Sequence, residues 1–198
     1  MDPAKNSSGE DPLRDDAFLI PADDRATVER IAGQGAATYG EILPLGVGAL
    51  IAALRPGPSD VFYDLGSGGG SMVLQVARES PVGRAIGVEL SHARHKVACA
   101  RLTQEAALSS RVAFIEGDLA KVAIPDATLV FAGSLCFPDP LMLALARVAL
   151  EAPRLRRLAT IRPLLGADRS RFSPVAELDL AATWSPRVRV KVYEPRRS

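Results

Sequence analysis

The sequence predicts an α/β domain on a mostly parallel, seven-stranded sheet that ends in an antiparallel hairpin, and three observations carry that reading. Short apolar runs alternate with helix-length segments through the middle of the chain, the pattern of a parallel sheet with crossovers. The run Val61-Phe62-Tyr63 leads directly into Asp64-Leu65-Gly66-Ser67-Gly68-Gly69-Gly70, a strand, a tight turn and a helix opening in sequence. Glu177 to Trp184 and Arg187 to Glu194 read as two strands joined at Ser185-Pro186.

The elements follow in order. Residues 1–16 are polar and read as a disordered tail, since they carry too little apolar surface to offset ordering entropy. Residues 17–58 form an N-terminal helical and loop cap, and 59–198 the core domain. Within the cap, a weak helical stretch spans about 21–31, Gly33-Gln34-Gly35 marks a loop, and 41–54 is apolar all round. That last segment fits a helix buried against the sheet, with Pro44 tolerated only in its first turn. Strands are expected at 60–65, 84–89, 112–116, 127–132 and 156–162, with helices at 70–80, 91–107 and 138–150. Ser91 suits an N-cap, and the alanine-rich body behind it has high helix propensity.

The glycine turn carries the chemistry. Glycines let the backbone adopt positive φ and approach a ligand more closely than a Cβ allows. Glu89 closes the next strand, Ala85-Ile86-Gly87-Val88-Glu89. An acid about twenty residues beyond such a turn is placed to accept hydrogen bonds from ribose hydroxyls. Two Rossmann-like readings compete. Dinucleotide binding uses Gly-x-Gly-x-x-Gly with a pyrophosphate on the helix N-terminus, and the run through Gly69 does not strictly exclude it. Asp64 separates them, because a negative charge ahead of the glycines repels a pyrophosphate and suits the amino group and sulfonium of S-adenosylmethionine.

Asp-x-Gly-x-Gly-x-Gly at 64–70 resembles the first motif of class I methyltransferases. The resemblance implies a Rossmann-like class I methyltransferase fold with sheet order 3-2-1-4-5-7-6. It places Asp118, after Phe114-Ile115-Glu116-Gly117, opposite the adenine amino group, with Leu119 packing on the ring. Thr38-Tyr39-Gly40-Glu41, the glycine turn and Val73-Leu74-Gln75-Val76-Ala77 together resemble the non-SET histone-lysine methyltransferases of the disruptor-of-telomeric-silencing type. Gly87-Val88-Glu89 and Gly117-Asp118 match that family as well, so the likeness covers roughly 38–137. It implies cofactor contacts at Tyr39, Glu41, Asp64, Gly66, Ser67, Gly68, Gly70, Ser71, Glu89, Asp118 and Leu119. Tyr39, Phe137 and Trp184 would wall the acceptor channel and carry catalysis there.

Departures from the family lie on the acceptor side. Gly133-Ser134-Leu135-Cys136-Phe137 stands where the family has Asn-Asn-Phe-x-Phe, Ser71 replaces a glutamine, and Ile42 a threonine. Three functions stay open: methyl transfer to a histone-type protein lysine, transfer by the same fold to RNA or a small molecule, and a cofactor-binding module without transferase activity. The first implies S-adenosyl-L-methionine as cofactor, a protein substrate such as a histone or nucleosome, and a nuclear location; the others imply a cytoplasmic one.

Composition narrows partners. A net charge of +1 supplies no global field for nucleic acid. Its distribution is uneven, with eight acids against four bases in 1–33 and eleven bases against four acids in 154–198. Those late bases fit either an acidic partner surface or the solvent face of the last strands. Cys99 and Cys136 are too few for a disulfide framework or a zinc site, and His92 and His95 read as a solvated helix face, so no metal is expected. No apolar run approaches the roughly 20 residues of a membrane span, and the chain reads as intracellular and soluble.

Overall fold

The computed structural model describes residues 19–196, so the expected tail at 1–16 lies outside the described residues. Two helices open this span, α1 (Ala22–Ala32) and α2 (Pro44–Leu54). The core then runs β1 (Val61–Leu65), α3 (Ser71–Glu79), β2 (Arg84–Glu89), α4 (His92–Thr103), β3 (Val112–Glu116), β4 (Leu129–Ala132), α5 (Asp139–Leu150) and β5 (Arg157–Thr160). It closes with β6 (Phe172–Ala182) and β7 (Ser185–Pro195). The seven strands form one sheet in the order β3-β2-β1-β4-β5-β7-β6. β1 to β5 pair in parallel, and β7 lies antiparallel to both β5 and β6. This is the class I methyltransferase fold the sequence predicts.

β1 sits between β2 and β4 with every residue buried, which is why its sequence is a continuous apolar run and not an alternation. Val47, Leu50 and Leu54 of α2 pack with Val73 and Val76 of α3 on one sheet face. Leu141, Leu145 and Val148 of α5 cover the other. Order reverses between β1 and β4, so the carboxyl ends of β1, β2 and β4 open into a crevice, where ligands of open α/β sheets bind.

Two boundaries differ from expectation in ways that shape that crevice. The second helix starts at Pro44, not residue 41, because proline favours the first helical position and restrains the residue before it from helical geometry. Residues 41–43 are extended instead and stitch onto the end of β6. Thr183 N donates to the Glu41 carbonyl at 2.9 Å, Leu43 N donates to the Ala181 carbonyl at 2.8 Å, and Ile42 bridges Ala182. The hairpin turn is Thr183-Trp184, with Ala182 paired to Ser185, and not Ser185-Pro186. Pro186 is tolerated in β7 because β5 pairs only with Lys191 to Tyr193, leaving Pro186 without a neighbour on that side.

The late basic residues spend much of their charge locally. Arg187 pairs with Asp179 at 2.6 Å, Arg189 with Glu177 at 3.0 Å and Arg157 with Glu194 at 3.2 Å. Of the two readings of these bases, the geometry matches a decorated strand face. His92 is exposed and 2.9 Å from Glu116. Among the described residues no cluster of His, Cys, Asp and Glu could hold a metal ion, both cysteines are free, and no helix is long and apolar enough to cross a membrane.

Candidate active site

A cavity of about 340 Å³ lies at the carboxyl edge of β1, β2 and β4, within the size range of small-molecule sites. Its floor is the glycine turn. Gly66 has φ +92°, and a Cβ there would stand 3.0 Å from the Phe137 ring. Asp64, next to last in β1, is 3% exposed, and its Oδ1 finds no protein partner. Ser67 Oγ is likewise buried and unpartnered. Buried polar atoms are rarely left so unless a ligand or water completes them.

Glu89 ends β2 beside this turn. Its Oε2 accepts from Gly68 N and its Oε1 from Ser91 N, each at 2.8 Å. Two bonds leave lone pairs on both oxygens, since an ionised carboxylate can accept about four. Burial pushes the Glu89 carboxyl up, opposed by those two amides and the Arg94 charge. Burial, and then the charge of Glu89, raises Asp64 to about 8. Two acids with spare acceptors, buried on neighbouring strand ends, fit a ligand that brings hydroxyl and ammonium donors.

Across the cavity, Asp118 follows β3. Its Oδ1 accepts from Ala120 N at 2.9 Å and its Oδ2 lies 3.4 Å from Lys121, so it both shapes the turn and lines the cavity with Leu119. Over the glycine turn lies the segment 38–41. A Cβ on Gly68 would fall 2.0 Å from Tyr39 Cε2, so the Tyr39 ring rests directly on that glycine. Tyr39 Oη donates to Glu41 Oε1 at 2.6 Å and accepts from Gly69 N at 3.0 Å. Ser71 Oγ also donates to Glu41 Oε1, at 2.7 Å, and Arg101 donates to Ser71 Oγ at 2.8 Å. The stitch between 41–43 and β6 brings Trp184 to the mouth, 41% exposed and packed on Gly40.

The cavity therefore gathers Tyr39, Glu41, Asp64, Gly66, Ser67, Ser71, Glu89, Asp118, Leu119, Phe137 and Trp184. Gly68 and Gly70, also expected at the cofactor, are not among the residues that line the cavity. Gly68 is covered by Tyr39, while Gly70 faces Phe114 and Ala98, the close helix-to-strand packing that a third glycine allows. Sequence reasoning missed Val28 and Ala32 of α1, which roof the cavity, and Arg94 of α4. Arg94 sits between His92 and Lys96 in a run that reads as solvated, yet it is 3% exposed. Its one available signal is its place one turn after the N-cap Ser91, facing back toward the acid that closes β2. Ser134, in place of the family amide, is fully buried and accepts from Arg162 N at 3.0 Å, so it braces the loop and does not face an acceptor.

Comparison with known proteins agrees with this geometry. A protein-lysine N-methyltransferase of Saccharolobus islandicus is 32% identical over 71 residues, covering 36% of this chain and 44% of the relative. The H3 lysine-79 specific histone-lysine N-methyltransferase of Caenorhabditis elegans is 44% identical over 54 residues, 27% of this chain and 6% of that protein. These matches span less than half the length of either relative. An RNA methyltransferase from Salinibacter ruber, solved with S-adenosyl-L-homocysteine, superposes with a TM-score of 0.58 at 25% identity, covering 77% of this chain and 92% of that one. The family described as histone methylation protein DOT1 matches residues 27–173. That span takes in most of the cap, the glycine turn, both buried acids and the Phe137 loop, and the chain belongs to the DOT1 family.

Proposed function

We propose that the protein is an S-adenosylmethionine-dependent methyltransferase whose acceptor is a lysine of a protein, of the histone type. The observation that carries this reading is the pairing of buried, under-satisfied Asp64 and Ser67 with Glu89 in one cavity whose other end is aromatic and apolar. Glu89 accepts the ribose hydroxyls, Asp118 accepts from the adenine amino group and Leu119 packs on the ring. Asp64 and Glu41 face the amino-acid end, where their negative charge favours an ammonium and a sulfonium. The cofactor supplies an activated methyl group on a positively charged sulfur.

What the chain supplies beyond binding is alignment and exclusion of water, which is most of what an in-line displacement needs. Phe137 and Trp184 wall the acceptor end and favour an approaching lysine ammonium by cation–π contact. Desolvation between such walls lowers a lysine pKa, so the acceptor ammonium gives its proton to solvent water before the methyl group transfers, without a dedicated base. Tyr39 closes over the glycine turn and holds the reacting end dry.

The acceptor loop favours a second reading. Gly133 to Cys136 offers no side-chain amide, and Ser134 is committed to Arg162, so the same fold acting on RNA or a small molecule is the rival. Labelled methyl transfer from S-adenosylmethionine to nucleosomes, free histones, total cell protein and RNA separates the two. Label on histone lysine is expected; label on RNA alone would replace the substrate reading and keep the cofactor.

A further inference from the structure

The first turn of α4 carries a buried cation that the chemistry above leaves unused. The Arg94 guanidinium carbon lies 4.5 Å from the centroid of the Tyr39 ring. Its Nη2 donates to the Ala37 carbonyl at 2.7 Å. The same side chain lines the cavity and interacts with the charge of Glu89. Arginine stays charged in any protein environment, and a charge taken out of water persists only where partners surround it. Those partners include the acid at the end of β2, Asp24 of α1 and the segment that folds over the glycine turn.

We propose that Arg94 is a positioning residue that ties Glu89 to Tyr39, so that occupancy of the ribose end of the cavity fixes the aromatic cover at the reacting end. This inference rests on the cofactor reading above. Its geometry is selective. Helix α1 has its own anchor on α4, where Asp24 accepts from Ser91 Oγ at 2.6 Å and from the amides of His92 and Ala93 at 3.3 and 3.1 Å. Loss of Arg94 therefore leaves that anchor of α1 intact and removes from the 37–39 segment its ring contact and its carbonyl bond. Lysine is no substitute, because it lacks the planar fork that stacks on a ring while donating to a carbonyl. A ligand can fix the cover only by interactions that favour this position over others. Glu89 is where that difference arises, since ribose hydroxyls on Glu89 alter the field that Arg94 feels.

The test is a double-mutant cycle on the full chain with S-adenosylhomocysteine as the probe, measured by calorimetry on Arg94→Met, Tyr39→Leu and the double variant. Trp184 is the single tryptophan and packs on Gly40, so its emission reports the cover independently of turnover. Each single change is expected to weaken binding about tenfold, and the double variant to fall no more than about threefold below the weaker single, the non-additivity of coupled residues. In Arg94→Met the Trp184 emission should shift to the red and lose its response to saturating probe. If Arg94→Met does not fold, Arg94→Lys takes its place in the cycle with the same expectation. Losses that multiply, a wild-type emission response in Arg94→Met, or an Arg94→Lys chain indistinguishable from wild type would each overturn the role of Arg94 alone. A wild-type chain that binds no probe would overturn the cofactor reading and this inference with it.

Discussion

The hydroxyl of Tyr39 donates to the carboxylate of Glu41, two residues on, at 2.6 Å. The same oxygen accepts from the Gly69 amide, so one side chain joins the N-terminal cap to the glycine turn. Burial, reinforced by the Glu41 charge, pushes the Tyr39 phenol far above its ordinary range. Tyr39 therefore stays protonated at every working pH and acts as a fixed donor.

Tyr39→Phe should keep the ring on Gly68 and lose both bonds. Leaving buried polar groups without partners costs about 1–3 kcal/mol, so the melting temperature falls and binding of S-adenosylhomocysteine weakens in the same preparation. Turnover should fall further than binding, because the lost bonds hold the reacting end. Equal losses in kcat and affinity would reduce Tyr39 to packing.

Asp64 makes stability and binding oppose each other. Its carboxyl is raised from 3.8 to about 8 by burial and by Glu89, so the folded chain holds a proton that the unfolded chain releases. That contribution to stability is full near pH 4 and is lost as pH rises through about 8. Asp64→Asn should flatten this decline and melt higher than the parent at pH 8, while binding S-adenosylmethionine about tenfold or more weakly through loss of a charged partner. The parent's affinity for the cationic cofactor should climb between about pH 6 and 9 with proton release on binding. Calorimetry in buffers of different ionisation enthalpy checks it, and a pH-independent affinity would remove Asp64 from the amino-acid end.

Glu89→Gln retains one carbonyl oxygen and so cannot satisfy Gly68 N, Ser91 N and two ribose hydroxyls together. A loss of about 1–3 kcal/mol in S-adenosylhomocysteine binding is expected, with weak binding of adenine alone unchanged. Equal effects on both ligands would place Glu89 away from the ribose.

Gly68→Ala puts a methyl group where the Tyr39 ring lies, at a φ of +53°. The cover should be displaced, seen as a red shift of Trp184 emission and faster proteolysis after 33–41, while the sheet still melts cooperatively. Unchanged emission would mean that Tyr39 does not rest there in solution.

The sheet was legible because its signals are local. Val61 to Tyr63 and Ala85 to Val88 are apolar runs followed by acids, and the glycines that follow Asp64 mark a crossover turn built to approach a ligand. The cap was less legible. Glu41 to Leu43 carry apolar and acidic residues that fit a helix opening, and Pro44 together with the pairing with β6, some 140 residues away, holds them extended. Trp184 reached the mouth by that same pairing, and its expected place in a channel wall came from the family likeness, not from its neighbours in sequence. Arg94 was hidden for the opposite reason. A basic helix face between two histidines is ordinarily solvated, and its burial depends on Ala37 and Tyr39 of the cap and on Glu89 at the end of β2, two segments distant in sequence.

The most direct measurement is calorimetric titration of the full chain with S-adenosylhomocysteine, run beside Glu89→Gln and Asp64→Asn and followed by labelled methyl transfer to histones. The account predicts one site per chain, weakened by both substitutions, and label on a protein lysine. A folded chain that binds no S-adenosylhomocysteine would contradict it.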